Sequence, residues 1–405
     1  MTDARGIARQ VEDAHRRHWS AVLAATVRVT RNLDLAEDCA QDAFLRALRA
    51  WPDDVPTNPA AWLTTVARRI ALDRLRREET LRRKLPLLVM DEPGEDEHPT
   101  DPLRLVFTCC HPSLSGEAKV ALTLRLMCGF TTPEVAAGLL ISESTAAARI
   151  TRAKKKIAAA GIPFRIPSDV DLSDRLDAVL TVVHLVFTAG HTATGEPLAR
   201  ADLMDRAIDL GRMLVQLLPD EPEARALLAL LLMTRARGAA RTSEDGELIL
   251  LIDQDRSRWD RALIDMGLAL ATAALKEGDG RFTLQAAIAG LHVSAPTWEA
   301  TDWAQVVRMY DALLKRWPSP IVALNRAAAR SLAPRADLTQ VLAEIEALEP
   351  APELRRYAYL PATKADVLAR LGRSRPAAGA YGDAIRLCTN ETERQFLRRR
   401  RSSLG

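Results

Sequence analysis

Two features of the 405 residues predict an all-α chain. Apolar residues recur at helical spacing from end to end, as in Leu63, Val66, Ala67 and Ile70, and no β-rich run of alternating polarity interrupts them. Breaks of Pro, Gly and Asp, such as residues 218–222, 317–320 and 349–352, punctuate the second half at intervals that fit stacked helix pairs.

The length exceeds one ordinary domain and points to two or three compact units. A hydrophobic fraction of 48% suffices for packed cores, and there is no apolar run of membrane-spanning length or charged-then-apolar leader, so a soluble cytoplasmic protein is expected. Cys39, Cys109, Cys110, Cys128 and Cys388 are odd in number and not spaced as a disulfide framework, which fits reduced thiols. Cys109, Cys110 and His111 lack a second pair of metal donors at zinc-site spacing, so no metal and no cofactor is expected. The net charge of +3 is concentrated early: residues 1–165 carry 25 basic and 21 acidic residues, against 31 and 32 in residues 166–405. Nucleic-acid contact is therefore sought before residue 166.

Taken in order, residues 8–31 read as one helix with Val11, Ala14, Trp19, Val22 and Leu23 inside and Arg16, Arg17 and Arg28 outside. A second helix opens at Asp34 as N-cap and buries Ala36, Ala40, Ala43, Phe44 and Ala47. Its other side collects Glu37, Asp38, Gln41 and Asp42, an acidic and amide patch suited to a basic partner surface. The stretch between Trp51 and Trp62 holds three prolines that forbid a continuous helix. Such a stiff loop can capture an unstacked base, with Asp54, Thr57 and Asn58 as polar contacts; both tryptophans also read as core.

From Trp62 to Arg77 an amphipathic helix sets Leu63, Val66, Ala67 and Ile70 against Arg68, Arg69, Asp73 and Arg76. Counting on to Lys84, eight basic residues face three acidic ones, which suits phosphate contact and equally a solvated helix face. Residues 91–101 hold six acids with two prolines and a glycine and read as a flexible acidic linker. Helices resume over residues 102–110 and 115–128. Residues 132–157 then have helix-turn-helix syntax: Pro133 at the first helical position, a turn at Leu140, Ile141 and Ser142, Ser142 as cap of a second helix, and cations behind it.

These stretches resemble the sigma-70 family of transcription factors, in its extracytoplasmic-function (ECF) group. Trp62, Leu63, Ala67, Arg68 and residues 71–77 are similar to the promoter-reading helix of sigma region 2, with Arg69 standing where that family usually has Asn. Asp34, Glu37, Asp38, Gln41, Asp42 and Phe44 are similar to the region 2 helix that docks on core RNA polymerase. Glu134, Ala136, Ile141, Ser142, Thr145, Arg149, Arg152 and Ala153 resemble region 4, although Leu140 replaces the usual turn glycine and Ala146, Ala147 and Ala148 leave few side chains to read base edges.

The resemblance implies binding to core RNA polymerase, with the beta-prime clamp and the beta flap as partners and Asp34, Glu37, Asp38, Gln41 and Asp42 as the residues that meet the clamp. It implies minus-ten DNA contacts from Asp54, Thr57, Asn58, Trp62, Arg68, Arg69, Asp73, Arg76 and Arg77. Minus-thirty-five contacts fall to Ser142, Ser144, Thr145, Arg149, Arg152, Lys154 and Lys155. The expected organisation is region 2 over residues 1–85, an acidic linker over 86–101, region 4 over 102–165 and a helical extension over 166–405.

In that extension Gly372, Ala377, Tyr381 and Ala384 match the turn and second helix of a tetratricopeptide unit, and residues 302–331 look like a second degenerate pair. One ECF subgroup carries a large C-terminal helical domain of this kind, which implies control of the factor through a protein partner or an intramolecular contact. His184 and His191, near Asp174 and Asp177, do not have metal-motif spacing, and neither do Asp253, Asp255 and Asp260 around Trp259. With no Gly-rich phosphate loop or supported nucleophile-base pair, the chain reads as a non-enzymatic initiation factor. The rival readings are a helix-turn-helix regulator acting without polymerase, and a helical enzyme with a DNA-binding appendage.

Overall fold

A computed structural model describes residues 4–51, 55–82, 101–139, 141–167, 169–191, 201–243 and 247–404. Among them the only extended pairing is one isolated bridge, Thr242 with Leu248; the regular elements are helical. The chain forms two compact units, residues 1–186 and 187–405. No described helix is long and apolar enough to cross a membrane. The expected acidic linker and the turn residue Leu140 lie outside the described residues, apart from Asp101.

The first unit begins with α1 (Ala4–Thr30), α2 (Leu33–Ala50) and α3 (Pro59–Arg82). α1 starts four residues earlier than its periodicity predicts and ends where Arg31 turns into the left-handed region at φ 52°. Trp19, Val22 and Leu23 of α1 meet the fully buried Ala36, Ala40, Ala43 and Ala47 of α2 and Leu63 and Ala67 of α3 in one core. Small residues on α2 allow that close approach. The cap of α2 is Asn32, not Asp34: Asn32 Oδ1 accepts from the Asp34 and Leu35 amides at 2.9 and 3.0 Å.

α4 (Asp101–Cys109), α5 (Gly116–Leu122), α6 (Thr132–Leu139), α7 (Glu143–Ala159) and α8 (Asp169–His191) follow, with a π-helical turn, Thr123–Met127, extending α5. Asp101 is not a linker residue but the buried start of α4, 3.4 Å from the Arg28 guanidinium. α6 begins at Thr132, one residue before the expected Pro133. Thr131 and Glu134 close a capping box there, since Glu134 Oε2 accepts from the Thr131 amide at 2.7 Å while the Glu134 amide donates to Thr131 Oγ1. Arg175 of α8 donates to Phe107 O at 2.7 Å and lies over the Phe107 ring, tying the start of α8 to α4.

The second unit runs through α9 (Ala201–Leu217), α10 (Pro222–Ala236), α11 (Arg261–Glu277), α12 (Arg281–Ser294), α13 (Trp303–Arg316), α14 (Pro320–Leu332), α15 (Leu338–Leu348), α16 (Tyr359–Arg370), α17 (Ser374–Leu387) and α18 (Glu391–Ser402). Acidic and amide caps start many of them: Glu221, Asp260, Asp302, Asp337 and Asn390 each accept from a first-turn amide. Asp260 and Asp255 thus serve as caps. The carboxylate of Glu223, from α10, accepts from the Phe282 and Thr283 amides and from Thr283 Oγ1, capping α12 from outside its own sequence. α16 and α17 form the expected pair, with Gly372 at φ 72° in the turn and Ala377, Tyr381 and Ala384 buried.

At the end of α12, burial and then the charges of Arg237 and Arg256 push the His292 imidazole down to about 4. His292 is therefore neutral in the folded chain, whereas the unfolded chain takes up its proton near pH 6.5. The stability gained is complete above the unfolded value and is lost as pH falls from about 6.5 toward 4, by up to about 1.4 kcal/mol per pH unit. Replacing His292 by Gln is expected to flatten that part of the acid limb, measured by urea unfolding between pH 7 and pH 5.

Candidate nucleic-acid interface

α3 is started by Asn58, whose Oδ1 accepts from the Ala61 amide at 3.1 Å. Asn58 is thus a helix cap, with Thr57 exposed beside it; Asp54 lies outside the described residues. Leu63, Ala67, Ile70 and Ala71 face the core, and Val66 is half-buried. Arg69, Asp73, Arg76 and Arg77 are exposed and Arg68 half-buried, so the cationic face predicted from spacing stands in solvent. Trp51 is core, 2% exposed, with the half-buried Trp62 ring edge-on to it at 5.8 Å. Packing has therefore taken one of the two aromatics and left the other partly open.

The acidic face of α2 is more occupied than its sequence suggests. Arg74, one turn beyond Ile70 on α3, reaches Asp42 at 2.6 Å and Asp38 at 3.8 Å. Glu37, expected on the exposed side, is buried at 4%. One carboxylate oxygen pairs with the Arg125 guanidinium, and the other accepts from Lys154 Nζ at 2.7 Å. Lys154 Nζ also donates to Asp34 Oδ1 at 2.7 Å. Burial works against the charge on Lys154, but Glu37 and Asp34 outweigh it and hold its pKa above the ordinary lysine value. Gln41 remains exposed, its amide 3.4 Å from Glu37.

In the helix-turn-helix, Ser142 caps α7 as expected, accepting from the Thr145 amide at 3.2 Å. Ala146, Ile150, Ala153 and Ile157 form the inner stripe of α7. Outside, Ser144, Arg152 and Lys155 are exposed and Thr145 half-buried against Ser142, while Arg149 reaches Glu117 at 2.8 Å. Lys154, expected to face DNA phosphates, faces α2 instead. The sequence places it on the flank of α7, and only the packing of the unit decides which surface that flank meets.

Residues 101–157 are held against α1 and α2 by more than this ion cluster. Trp19 Nε1 donates to Leu126 O at 3.1 Å in a buried bond. Gly129, at φ 73°, lies so close to α1 that a Cβ there would be 2.7 Å from His15 Cε1 and 3.0 Å from the Trp19 ring. Arg125 Nη1 donates to Phe130 O at 2.8 Å, which fixes the guanidinium that Glu37 meets.

Elsewhere, Cys109 and Cys110 are buried and free; burial raises both thiols, Cys110 to about 11. His191 accepts from Arg241 through its carbonyl and faces it with Nδ1. Among the described residues no three metal-ligating side chains converge. A cleft of about 460 Å³ in the second unit is lined partly by Asp205, Asp209 and Asp260. The first two pair with Arg235 and Arg212 and the third caps α11, so the cleft presents ion pairs.

Sequence comparison matches residues 14–80 to Sigma-70 region 2, residues 104–157 to Sigma-70, region 4, and residues 175–275 to a family of unknown function (DUF6596). An uncharacterized protein of Rhizobium meliloti (strain 1021) is 41% identical over 93% of this chain and 91% of its own length. The ECF RNA polymerase sigma factor SigJ of Mycobacterium tuberculosis is 31% identical over 48% of this chain and 67% of its own. The first two matches cover α1–α3 and α4–α7, the elements that carry the acidic face, the cationic face and the helix-turn-helix.

Proposed function

The chain belongs to the ECF group of sigma-70 factors, which direct transcription initiation with core RNA polymerase at promoter DNA, and from that premise we propose which of its surfaces does what. α2 meets the core enzyme, at the beta-prime clamp, through Asp34, Asp38, Gln41 and Asp42. α3 and the loop before it meet the minus-ten element through Thr57, Trp62, Arg68, Arg69, Asp73, Arg76 and Arg77. α7 meets the minus-thirty-five element through Ser144, Thr145, Arg149, Arg152 and Lys155, with the beta flap behind α4–α7. The second unit modulates this activity. Region 2 spans residues 1–85, the acidic linker residues 86–101 with Asp101 already opening α4, region 4 residues 102–165, and the modulating extension residues 166–405.

The observation that carries this reading is the exposed cationic face of α3, where Arg69 and Arg77 stand in solvent without an ion pair among the described residues. Such cations bind phosphate by releasing condensed counterions. Changing Arg69 and Arg77 together to Ala is expected to reduce promoter output at unchanged core affinity and to flatten the salt dependence of DNA binding by roughly 1.4–1.8 in log-log slope. Gln41→Ala with Asp42→Ala is expected to weaken core binding first. The reverse pattern would count against the assignment.

Run-off transcription with purified core polymerase tests the whole reading, by comparing the full chain with one ending after His191. A cut near Phe164 is less suitable because it removes Arg175 from Phe107. Higher output from the shorter chain marks the second unit as a restraint, and lost output marks it as required.

A further inference from the structure

The second unit gathers unpaired donors around one indole. Arg237 follows α10, Arg256 opens a short 3-10 turn, Trp259 is 3% exposed, and His292 lies in the last turn of α12. The Arg256 guanidinium carbon lies 4.6 Å from the Trp259 ring centre and that of Arg237 lies 6.0 Å from it. Arg256 Nη1 donates to His292 O at 2.8 Å and Ala295 O at 2.6 Å, which ties the guanidinium to the end of α12.

Four polar atoms of this group are not used. Arg237 Nε, Arg256 Nη2, Trp259 Nε1 and His292 Nδ1 are buried with no hydrogen-bond partner, four of the twelve such side-chain atoms among the described residues. Neither guanidinium has a carboxylate in ion-pair range among those residues; the exposed Glu299 favours the Arg256 charge only from beyond that range, no carboxylate does so for Arg237, and Arg241 beside them is spent on His191. Burial, then Arg241 and Arg256, lowers Arg237 to about 10. A buried cation such as Arg237 is strongly disfavoured without a counter-charge. The carbonyl ends of α10 and α12 supply only about half an elementary charge each, and ring stacking leaves the in-plane N–H groups unbonded.

We propose that Arg237, Arg256, Trp259 and His292 form a binding site for a small tetrahedral oxyanion of the phosphate class. Arginine and the indole offer donors and no acceptor, and His292 joins them in the tautomer that carries its proton on Nδ1. Donors arriving from the end of α10, from a separate turn and from the end of α12 suit an anion with oxygens in several directions better than a planar carboxylate with two. The anion would supply the missing counter-charge and the acceptors together. Free phosphate and the phosphoryl group of a phosphate monoester share this chemistry.

The test uses the full chain dialysed into phosphate-free, sulfate-free buffer and titrated by calorimetry, with thermal unfolding in parallel, against inorganic phosphate, glycerol phosphate and acetate. One saturable phosphate site per chain is expected, with a raised unfolding midpoint, competition by sulfate and no matching response to acetate. Tighter binding of glycerol phosphate than of phosphate would assign the monoester as the source, and the reverse order the free ion. Arg237→Gln and Arg256→Gln should each weaken phosphate at least tenfold. Arg237→Gln should also keep or raise the phosphate-free midpoint, because it removes the unneutralised charge, so a weakened site is not mistaken for a failed fold. No saturable phosphate binding, equal binding in both variants, or an equal response to acetate overturns the proposal. None of these readouts involves polymerase, so they stand apart from the sigma-factor reading.

Discussion

Replacing Glu37 by Ala is expected to lower the unfolding free energy of the first unit by about 3–5 kcal/mol, the usual cost of removing one partner from a buried ion pair. The Glu37 side chain is 5% exposed and its two oxygens are shared by Arg125 and Lys154, themselves 17% and 11% exposed. Without it, two cations stay in a partly dry interface. Arg125 keeps Phe130 O and Lys154 keeps Asp34 Oδ1, which places the loss toward the lower end of that range. Glu37→Gln should recover part of it, since an amide oxygen still accepts. Lys154→Met should cost less than Glu37→Ala, because it leaves the Glu37 to Arg125 pair intact. Denaturant unfolding of the four chains measures this, and the double variant gives the coupling. If Glu37→Ala leaves unfolding unchanged, the α2 to α7 contact is not formed in solution.

The second large effect is expected at Gly267, where α11 crosses α10. A Cβ on Gly267 would stand 2.5 Å from Met233 Cγ and 3.2 Å from Ala229 O. Met233 is fully buried and the Ala229 carbonyl belongs to the α10 backbone, so neither can simply step aside. Alanine normally gains about 1 kcal/mol over glycine inside a helix. Here overpacking costs about 1–3 kcal/mol, so Gly267→Ala should be mildly destabilising and Gly267→Leu should lose more than about 3 kcal/mol. Gly379, which has open space at its Cβ position in α17, is the control: Gly379→Ala should be neutral or stabilising. Thermal unfolding of the three chains checks the order.

Much of the helical architecture was legible because periodicity reports burial within one helix. The alanine stripe of α2, the inner faces of α1 and α3, and the Ser142 cap all follow from residues within a few turns of each other. Caps competed more closely: Asn32 and Asp34 both suit the start of α2, and Asn32 takes the role while Asp34 turns to Lys154. Glu37 departs from its expected place for a different reason. Its neighbours on α2 leave it outside the helix core, and its burial comes from Arg125 and Lys154, 88 and 117 positions away. Arg74 lies in the basic run, yet its role is to meet α2 rather than solvent, which the run itself does not signal. The unpaired donors around Trp259 have no sequence signal, since an orphaned N–H is defined by what the fold fails to bring near it.

On the proposed assignment of α3 and α7 to the two promoter elements, the 2.7 Å link between Lys154 and α2 sets a condition on promoter engagement. Elements centred at minus ten and minus thirty-five are separated by about 25 base pairs, roughly 85 Å of duplex at 3.4 Å per base pair. A chain whose α3 and α7 occupy both at once has to be pulled apart along the double helix, with the Trp19 indole and Lys154 released on the way. Whatever free energy holds that clasp shut is subtracted from promoter affinity, tenfold for every 1.4 kcal/mol. Strengthening it would yield a quieter factor without altering any residue that touches DNA.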